Sequence, residues 1–457
     1  MTRRRAGGVG AAPTRHSALL AAIVALIVAL SAAIYVGASF DDGTDHRTLA
    51  GGPGPQNSAA PASTGTWVGS WSTSPSAAEP GTETTGLAGL SLRNVVHTSV
   101  GGTSARVTLS NLYGQRPLTL THATLALAAA DGTPAAAPGT MRRLTFAGAT
   151  TVVVPPGEQV TSDAVRLRVP HDADVLVTTY APTDAGPVTW HPTARQISYA
   201  ARGAHADDLS GVPYTQRVEA WRYLTALDVL SRESDGTVVA FGDSLTDGVT
   251  STVNENRRWP DLLADRLRAA AEDGADVPRY GVVNQGISGN RVLADGLGRP
   301  ADNPSGLNRF ERDVLARTGV RVVFIDLGVN DILRDPLPAD VDEDPAEILD
   351  GLRTLVRQAH ARGIKAVGAT LMPFRGHRGY TDAREAVRQR VNAEIRAGRV
   401  FDAHADFDEA LRDPYDPRRF RRDYDSGDHL HPSDKGYARM AAVVDLTDLL
   451  GAAPAEL

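Results

Sequence analysis

A chain of 457 residues is too long for one ordinary domain and leaves room for two or three. With 42% hydrophobic and 22% charged residues it can bury sizeable cores, while its 44 Gly and 28 Pro call for many turns and argue against an all-helical fold. A formal charge of -7 argues against a general nucleic-acid binder, and the absence of Cys excludes disulfides, thiol nucleophiles, thiolate zinc sites and iron–sulfur clusters.

Residues 1–16 carry Arg3, Arg4, Arg5 and Arg15 and no acid, a basic segment that precedes an uncharged run at 17–40, SALLAAIVALIVALSAAIYVGASF. Its 24 residues exceed the roughly 7–15 of a signal-peptide core and suffice for a bilayer-spanning helix of about 20. An uncleaved membrane anchor is expected. The alternative is a cleaved signal, because Val36-Gly37-Ala38 offers small residues at cleavage spacing. The arginines before the run and Asp41 and Asp42 after it place the N-terminus inside the cell, and both readings put the later residues outside. Residues 41–65 are rich in Gly, Pro, Ser and Ala and read as a disordered tether.

From Trp67 to about Val218 the hydrophobic period is two. Ala105, Val107 and Leu109 alternate with Arg106, Thr108 and Ser110, and Val165, Leu167 and Val169 alternate with Arg166 and Arg168. Turn clusters at Gly101-Gly102, Asp131-Gly132 and Pro155-Pro156-Gly157 separate such runs, so residues 66–230 read as a β-sandwich-like domain. Four of the five tryptophans, Trp67, Trp71, Trp190 and Trp221, fall in this half, as core filler or as an exposed platform for sugar rings.

After Ser231 the pattern changes. Short apolar strands at 237–241, 281–284, 320–327 and 365–371 alternate with amphipathic helical stretches, which predicts a three-layer α/β domain with a parallel sheet over 231–457. Only the short stretch RESDG separates it from the last apolar run of the β half, so the two halves are expected to pack together. In an open parallel sheet ligands sit beyond the carboxyl ends of the strands. Those ends carry Gly242-Asp243-Ser244-Leu245, then Ile287-Ser288-Gly289-Asn290, then Gly328-Val329-Asn330-Asp331, and Asp428-His429-Leu430-His431 precedes the last helix.

These four blocks, in this order, resemble those of the SGNH hydrolases, the GDSL-type esterases and lipases. The resemblance covers the chain after Ser231 and implies a flavodoxin-like fold and an exported serine esterase that needs no cofactor. It makes Ser244 the nucleophile, His431 the base and Asp428 its orienting carboxylate, with Ser244, Gly289 and Asn330 forming the oxyanion hole. Acyl glycans, lysophospholipids and short-chain esters are the substrate range it suggests. A β domain ahead of the catalytic one is similar to extracellular bacterial members, though no short motif in residues 66–230 is that specific.

The residue chemistry fits those roles. A serine hydroxyl needs a base to take its proton, and His suits neutral pH. Asp428, three residues before His431, lies within one turn of the imidazole and can fix its tautomer. Two backbone N–H groups and the Asn330 amide would meet a developing oxyanion. Leu245 and Thr246 follow Ser244, so the Gly-x-Ser-x-Gly elbow of ordinary α/β-hydrolases is missing.

Each block also has a plainer reading, as turn chemistry or a surface ion pair. Asp428, His429 and His431 with Asp243, Asp247 and Asp331 form the ligand set of the alternative enzyme, a metal-dependent phosphohydrolase, although no recognised metal spacing is present. A non-catalytic glycan-binding surface protein is the second alternative. Arg418, Arg419, Arg421 and Arg422 read as a solvated loop balanced by Asp413, Asp416, Asp423 and Asp425, or as an attractor of anionic substrates. Met372 and Phe374 serve either an acyl pocket or the core.

Overall fold

A computed structural model describes residues 65–296, 303–333 and 344–451. The basic segment, the apolar run and all but the last residue of the expected tether lie outside the described residues. Among the described residues no helix is long and apolar enough to cross a membrane.

The described residues all belong to one compact unit. Its first half holds two facing antiparallel sheets. One runs Thr66–Ser72, Leu224–Ser231, Gly102–Ser110, Val165–Val169, with Gln159–Thr161 also paired to Gly102–Ser110. The other runs Gln216–Val218, Ser198–Arg202, Leu90–His97, Asp174–Ala181, His122–Leu127, Arg142–Arg143. The inward positions of the period-two runs make the core between them. Ala105, Val107, Leu109, Leu167 and Val169 from the first sheet join one cluster with Val96, Leu125, Val175 and Val177 from the second.

None of the four tryptophans of this half is exposed. Trp71 and Trp221 meet edge to face with ring centroids 4.8 Å apart, and the Trp221 indole N–H donates to the Val95 carbonyl at 2.8 Å. Trp67 lies under the Arg106 guanidinium, 4.5 Å from its ring centroid. No exposed tryptophan platform is found among the described residues: Trp71 and Trp221 belong to the core, Trp67 lies under a cation and Trp190 is half-buried.

In the second half, strands β1 (Gly236–Gly242), β2 (Tyr280–Gly286), β3 (Val320–Asp326), β4 (Lys365–Ala369) and β5 (Ala403–Ala405) are parallel, in the order β2-β1-β3-β4-β5. This is the flavodoxin-like order, with its switch point outside β1 and β3. Helices α1 (Ser244–Asp247) and α2 (Trp259–Glu272) follow β1, and α3 (Gly306–Phe310) follows β2. Then α4 (Val329–Ile332) and α5 (Pro345–His360) follow β3, α6 (Asp382–Arg396) follows β4, and α7 (Phe407–Leu411) and α8 (Asp434–Val443) close the chain. Helix α2 packs on α8, whereas α5 packs on α3 and α6, so both faces of the sheet are covered. Met372 and Phe374 lie in this core, fully buried.

Two details depart from the sequence expectation. The short β5 was not foreseen, since only three residues pair and they include His404. The last helix stops at Val443; the Asp445 side chain accepts the Thr447 N–H at 2.9 Å and starts a separate 3₁₀ turn, Leu446–Leu449.

Strand β2 is the edge of the parallel sheet, and the sandwich covers it. The Gly69 N–H donates to Thr237 Oγ1 at 3.0 Å, the Val282 N–H to Ser99 Oγ at 3.1 Å and the Gln285 amide to Ser72 Oγ at 2.5 Å. Of these three bonds, the one from Val282 satisfies an edge N–H of β2 with a side chain of the other half; the Gln285 bond joins side chains, and Thr237 lies in β1.

Candidate active site

Strand β1 ends at Gly242, and the chain turns at once into α1. Asp243 caps that helix by accepting the Leu245 N–H at 3.0 Å, which puts Ser244 at the first helical position with its own N–H outside the helical ladder. The turn is tight against β2. A Cβ at Gly286 would lie 2.3 Å from the Asp247 backbone nitrogen, so only glycine permits this approach.

His431 arrives from the loop before α8. Thr250 Oγ1 donates to the Pro432 carbonyl at 2.7 Å, and the Thr252 N–H and hydroxyl donate to the Asp434 carboxylate at 2.9 and 2.6 Å. These bonds tie the loop after α1 to the segment after His431. As a result His431 Nε2 lies 2.9 Å from Ser244 Oγ, and Nδ1 lies 2.6 Å from Asp428 Oδ2. With a carboxylate on Nδ1, that nitrogen donates, and Nε2 is left to accept from the serine hydroxyl.

The Asp428 carboxylate also accepts the Leu430 N–H at 3.0 Å, the His431 N–H at 2.8 Å and the Ser426 hydroxyl at 3.1 Å. Partial burial works to raise its pKa, but the bonds from His431 and the two backbone N–H groups hold it well below the usual carboxylate range. The carboxylate opposite the imidazole therefore stays charged at any pH near neutrality.

Gly289 has φ of +76°, a conformation that favours glycine, and neither its N–H nor that of Ser244 meets a protein acceptor among the described residues. Asn330, the second residue of α4, donates through Nδ2 to Asp243 Oδ2 at 3.0 Å. Its amide carries a second hydrogen that no described acceptor takes. Asp331 accepts the Val292 and Leu293 N–H groups at 2.8 and 3.1 Å, which ties the Asn330 segment to the loop that follows Gly289.

Two buried ionisable side chains beneath the site, Arg309 and Asp326, belong to none of the four sequence blocks. Arg309 is fully buried and donates to the Gly242 carbonyl at 2.7 Å, the Gln285 carbonyl at 2.7 Å and Asn290 Oδ1 at 2.9 Å, so it clamps the ends of β1 and β2 to the Gly289 loop. Burial pulls its guanidinium down to about 10, against the nearby Asp313 carboxylate. Asp326, at the end of β3, accepts the Thr246 hydroxyl at 3.1 Å. Burial raises the pKa of Asp326, and burial together with the charge of Asp326 raises that of Asp243. Only the strand-end position of Asp326 within an apolar run hinted at it.

The alternative metal-ligand set does not assemble. His429 is held by Asp425 at 2.6 Å, Asp243 by Asn330, Asp331 by backbone N–H groups and Asp247 by His191 at 2.9 Å. Among the described residues no group of three or more His, Asp and Glu is placed to hold a metal ion. The arginine loop is in part internally balanced, with Asp416 lying 3.3 Å from Arg418, 3.2 Å from Arg419 and 2.6 Å from Arg375. A cavity of about 400 Å³ between the sandwich and α2, lined in part by His97, Asp172, Arg258 and Asp261, does not reach Ser244.

Residues 240–439 match the family described as GDSL-like lipase/acylhydrolase. Solved structures similar to the chain include the carbohydrate acetylesterase Est24 of Sinorhizobium meliloti, with 18% identity over 45% of this chain and 94% of that one at a TM-score of 0.33. The native aryl esterase of M. smegmatis has 19% identity over 45% and 95%, at 0.34. A GDSL-like lipase of Bacteroides thetaiotaomicron has 19% identity over 46% and 85%, at 0.32. No protein of curated function matches the chain.

Proposed function

Starting from residues 240–439, which belong to the GDSL-like lipase/acylhydrolase family of carboxylic ester hydrolases, we propose that the protein is an exported serine esterase working through an acyl-enzyme on Ser244. The observation that carries this reading is the line of bonds from Asp428 through His431 to Ser244, at 2.6 and 2.9 Å, beside two backbone N–H groups that meet no acceptor among the described residues. Ser244 Oγ attacks the ester carbonyl as its proton passes to His431 Nε2, and the charged Asp428 stabilises the imidazolium. The N–H groups of Ser244 and Gly289 and the free amide hydrogen of Asn330 meet the oxyanion. His431 then gives its proton to the leaving alcohol. Water, deprotonated by the same nitrogen, attacks the acyl carbonyl, and His431 returns that proton to Ser244 Oγ as the acid leaves. The sequence balances without a cofactor.

The apolar run 17–40 behind four arginines supports export, as an anchor or a cleaved signal. Sequencing the mature N-terminus in membrane and medium fractions distinguishes the two. Acyl glycans, lysophospholipids and short-chain esters are the proposed substrates, to be ranked on a panel of increasing acyl length. Ser244→Ala should abolish hydrolysis of p-nitrophenyl acetate at unchanged melting temperature, and a chelator should have no effect. Activity lost to the chelator and restored by a divalent ion would overturn the serine mechanism.

A further inference from the structure

The sandwich sends one side chain beneath the catalytic loops. His191 ends a short strand, Thr189–His191, held between Ala77–Ala78 and Trp221–Arg222. Its Nδ1 lies 2.8 Å from the Ser74 carbonyl oxygen and its Nε2 lies 2.9 Å from Asp247 Oδ1. Both partners are acceptors, so both ring nitrogens donate and the ring is an imidazolium. Burial opposes that charge, and the adjacent Asp247 carboxylate outweighs it, so the pKa is raised. The ring also lies 5.5 Å from the Trp221 ring centroid, within reach of its π face. With side chains 3% and 4% exposed, the pair is out of water, and loss of either partner leaves a buried charge unpaired.

Asp247 lies three residues after Ser244 in α1. Its other oxygen, Oδ2, accepts both the N–H of Ser288 at 3.0 Å and its hydroxyl at 2.5 Å. Ser288 precedes Gly289, whose N–H belongs to the peptide plane that begins at the Ser288 carbonyl. One carboxylate therefore links a cation of the sandwich to the donor peptide of the oxyanion site.

We propose that His191 is a positioning residue for the oxyanion site: through Asp247 it fixes Ser288 and so the direction of the Gly289 N–H. The sandwich is then a working part of the catalytic site as well as a cover for β2. This rests on the esterase reading of the same site.

The full chain is compared with His191→Leu, His191→Gln, His191→Asn and, as a control for loss of packing between the halves, Arg106→Ala, which cuts the bonds to Asp228 and Thr318. A glutamine amide reaches the position of Nε2 and an asparagine amide that of Nδ1, so only Gln still donates to Asp247. Removing one oxyanion donor costs about 10²–10³ in kcat, and a misaimed one should cost about 10- to 100-fold. That loss is expected in His191→Leu and His191→Asn with KM within about twofold, while His191→Gln stays within about fivefold and Arg106→Ala keeps its kcat. If His191→Leu does not fold, the Asn and Gln pair decides. Equal kcat in those two, or an Arg106→Ala enzyme that reproduces the loss, overturns the proposal. Hydrogen exchange over residues 286–290 reads positioning without a substrate: it should quicken in His191→Leu and His191→Asn and not in His191→Gln. Unchanged exchange in all three overturns the proposal whether or not the chain hydrolyses esters, and a wild-type chain inactive on every ester, with exchange changed as expected, overturns only the esterase reading.

Discussion

Asn330→Ala tests the oxyanion site at the group whose two hydrogens do different work. One is donated to Asp243 Oδ2 at 3.0 Å, and the other is free for the developing oxyanion. Loss of the second should lower kcat about 10²–10³-fold, or roughly 3–4 kcal/mol of transition-state stabilisation, with little change in KM. Loss of the first leaves a carboxylate that is 0% exposed short of a partner, which costs about 1–3 kcal/mol of stability. In a domain of this size each kcal/mol moves the melting temperature by about 2–4 °C. The variant should therefore be both slow and a few degrees less stable. Asn330→Asp should be worse on both counts, because a carboxylate donates nothing when ionised and stands against Asp243 and Asp326. Steady-state rates on p-nitrophenyl acetate at 25 °C and thermal melts on the same preparations separate the two effects. An Asn330→Ala enzyme that melts earlier yet keeps kcat within about threefold of wild type would refute the oxyanion role and leave Asn330 as a support for Asp243 alone.

The raised pKa of Asp326 gives a signed prediction for stability against pH. The native state holds its proton more tightly than the unfolded chain, so this contribution is complete below about pH 4 and is lost as pH rises towards the folded-state value. One extra native-state proton corresponds to a slope of up to about 1.4 kcal/mol per pH unit. Asp326→Asn, which imitates the protonated acid, should flatten the decline in melting temperature above pH 4, and parallel wild-type and variant curves would dismiss it. A chain begun at Ser231 loses the side chain that satisfies the Val282 N–H of β2 and the partners of Gln285, Arg309 and Asp247. Such a chain should melt earlier and self-associate in light scattering; equal stability and a monomeric size would show the cover to be dispensable.

Much of the site was legible because its chemistry is local. Asp428 and His431 are three residues apart, and Ser244, Gly289 and Asn330 each follow a strand whose apolar run marks where it ends. What escaped depends on partners distant in the chain. Arg309 meets Ser74 at a separation of 235 residues and Gly242 at 67, and His191 meets Asp247 at 56, with no periodicity or spacing to announce any of them. The role of the tryptophans was open for a related reason, since composition counts indoles and only packing decides whether an edge-to-face contact buries them. Helix α8 stops at Val443 although the apolar pattern runs on past it, because Asp445 is placed to begin a new turn.

The first strand of the sandwich, Thr66–Ser72, takes its antiparallel partner from the last, Leu224–Ser231. During synthesis at about 5–20 residues per second, the partner follows on the order of 10–30 s later. Until then TWVGSWS has neither the strand it pairs with nor the edge of β2 that it covers, and it offers open backbone to any other strand nearby. A sheet that cannot close before residue 231 leaves the first strand of the sandwich open until the beginning of the catalytic half has been made.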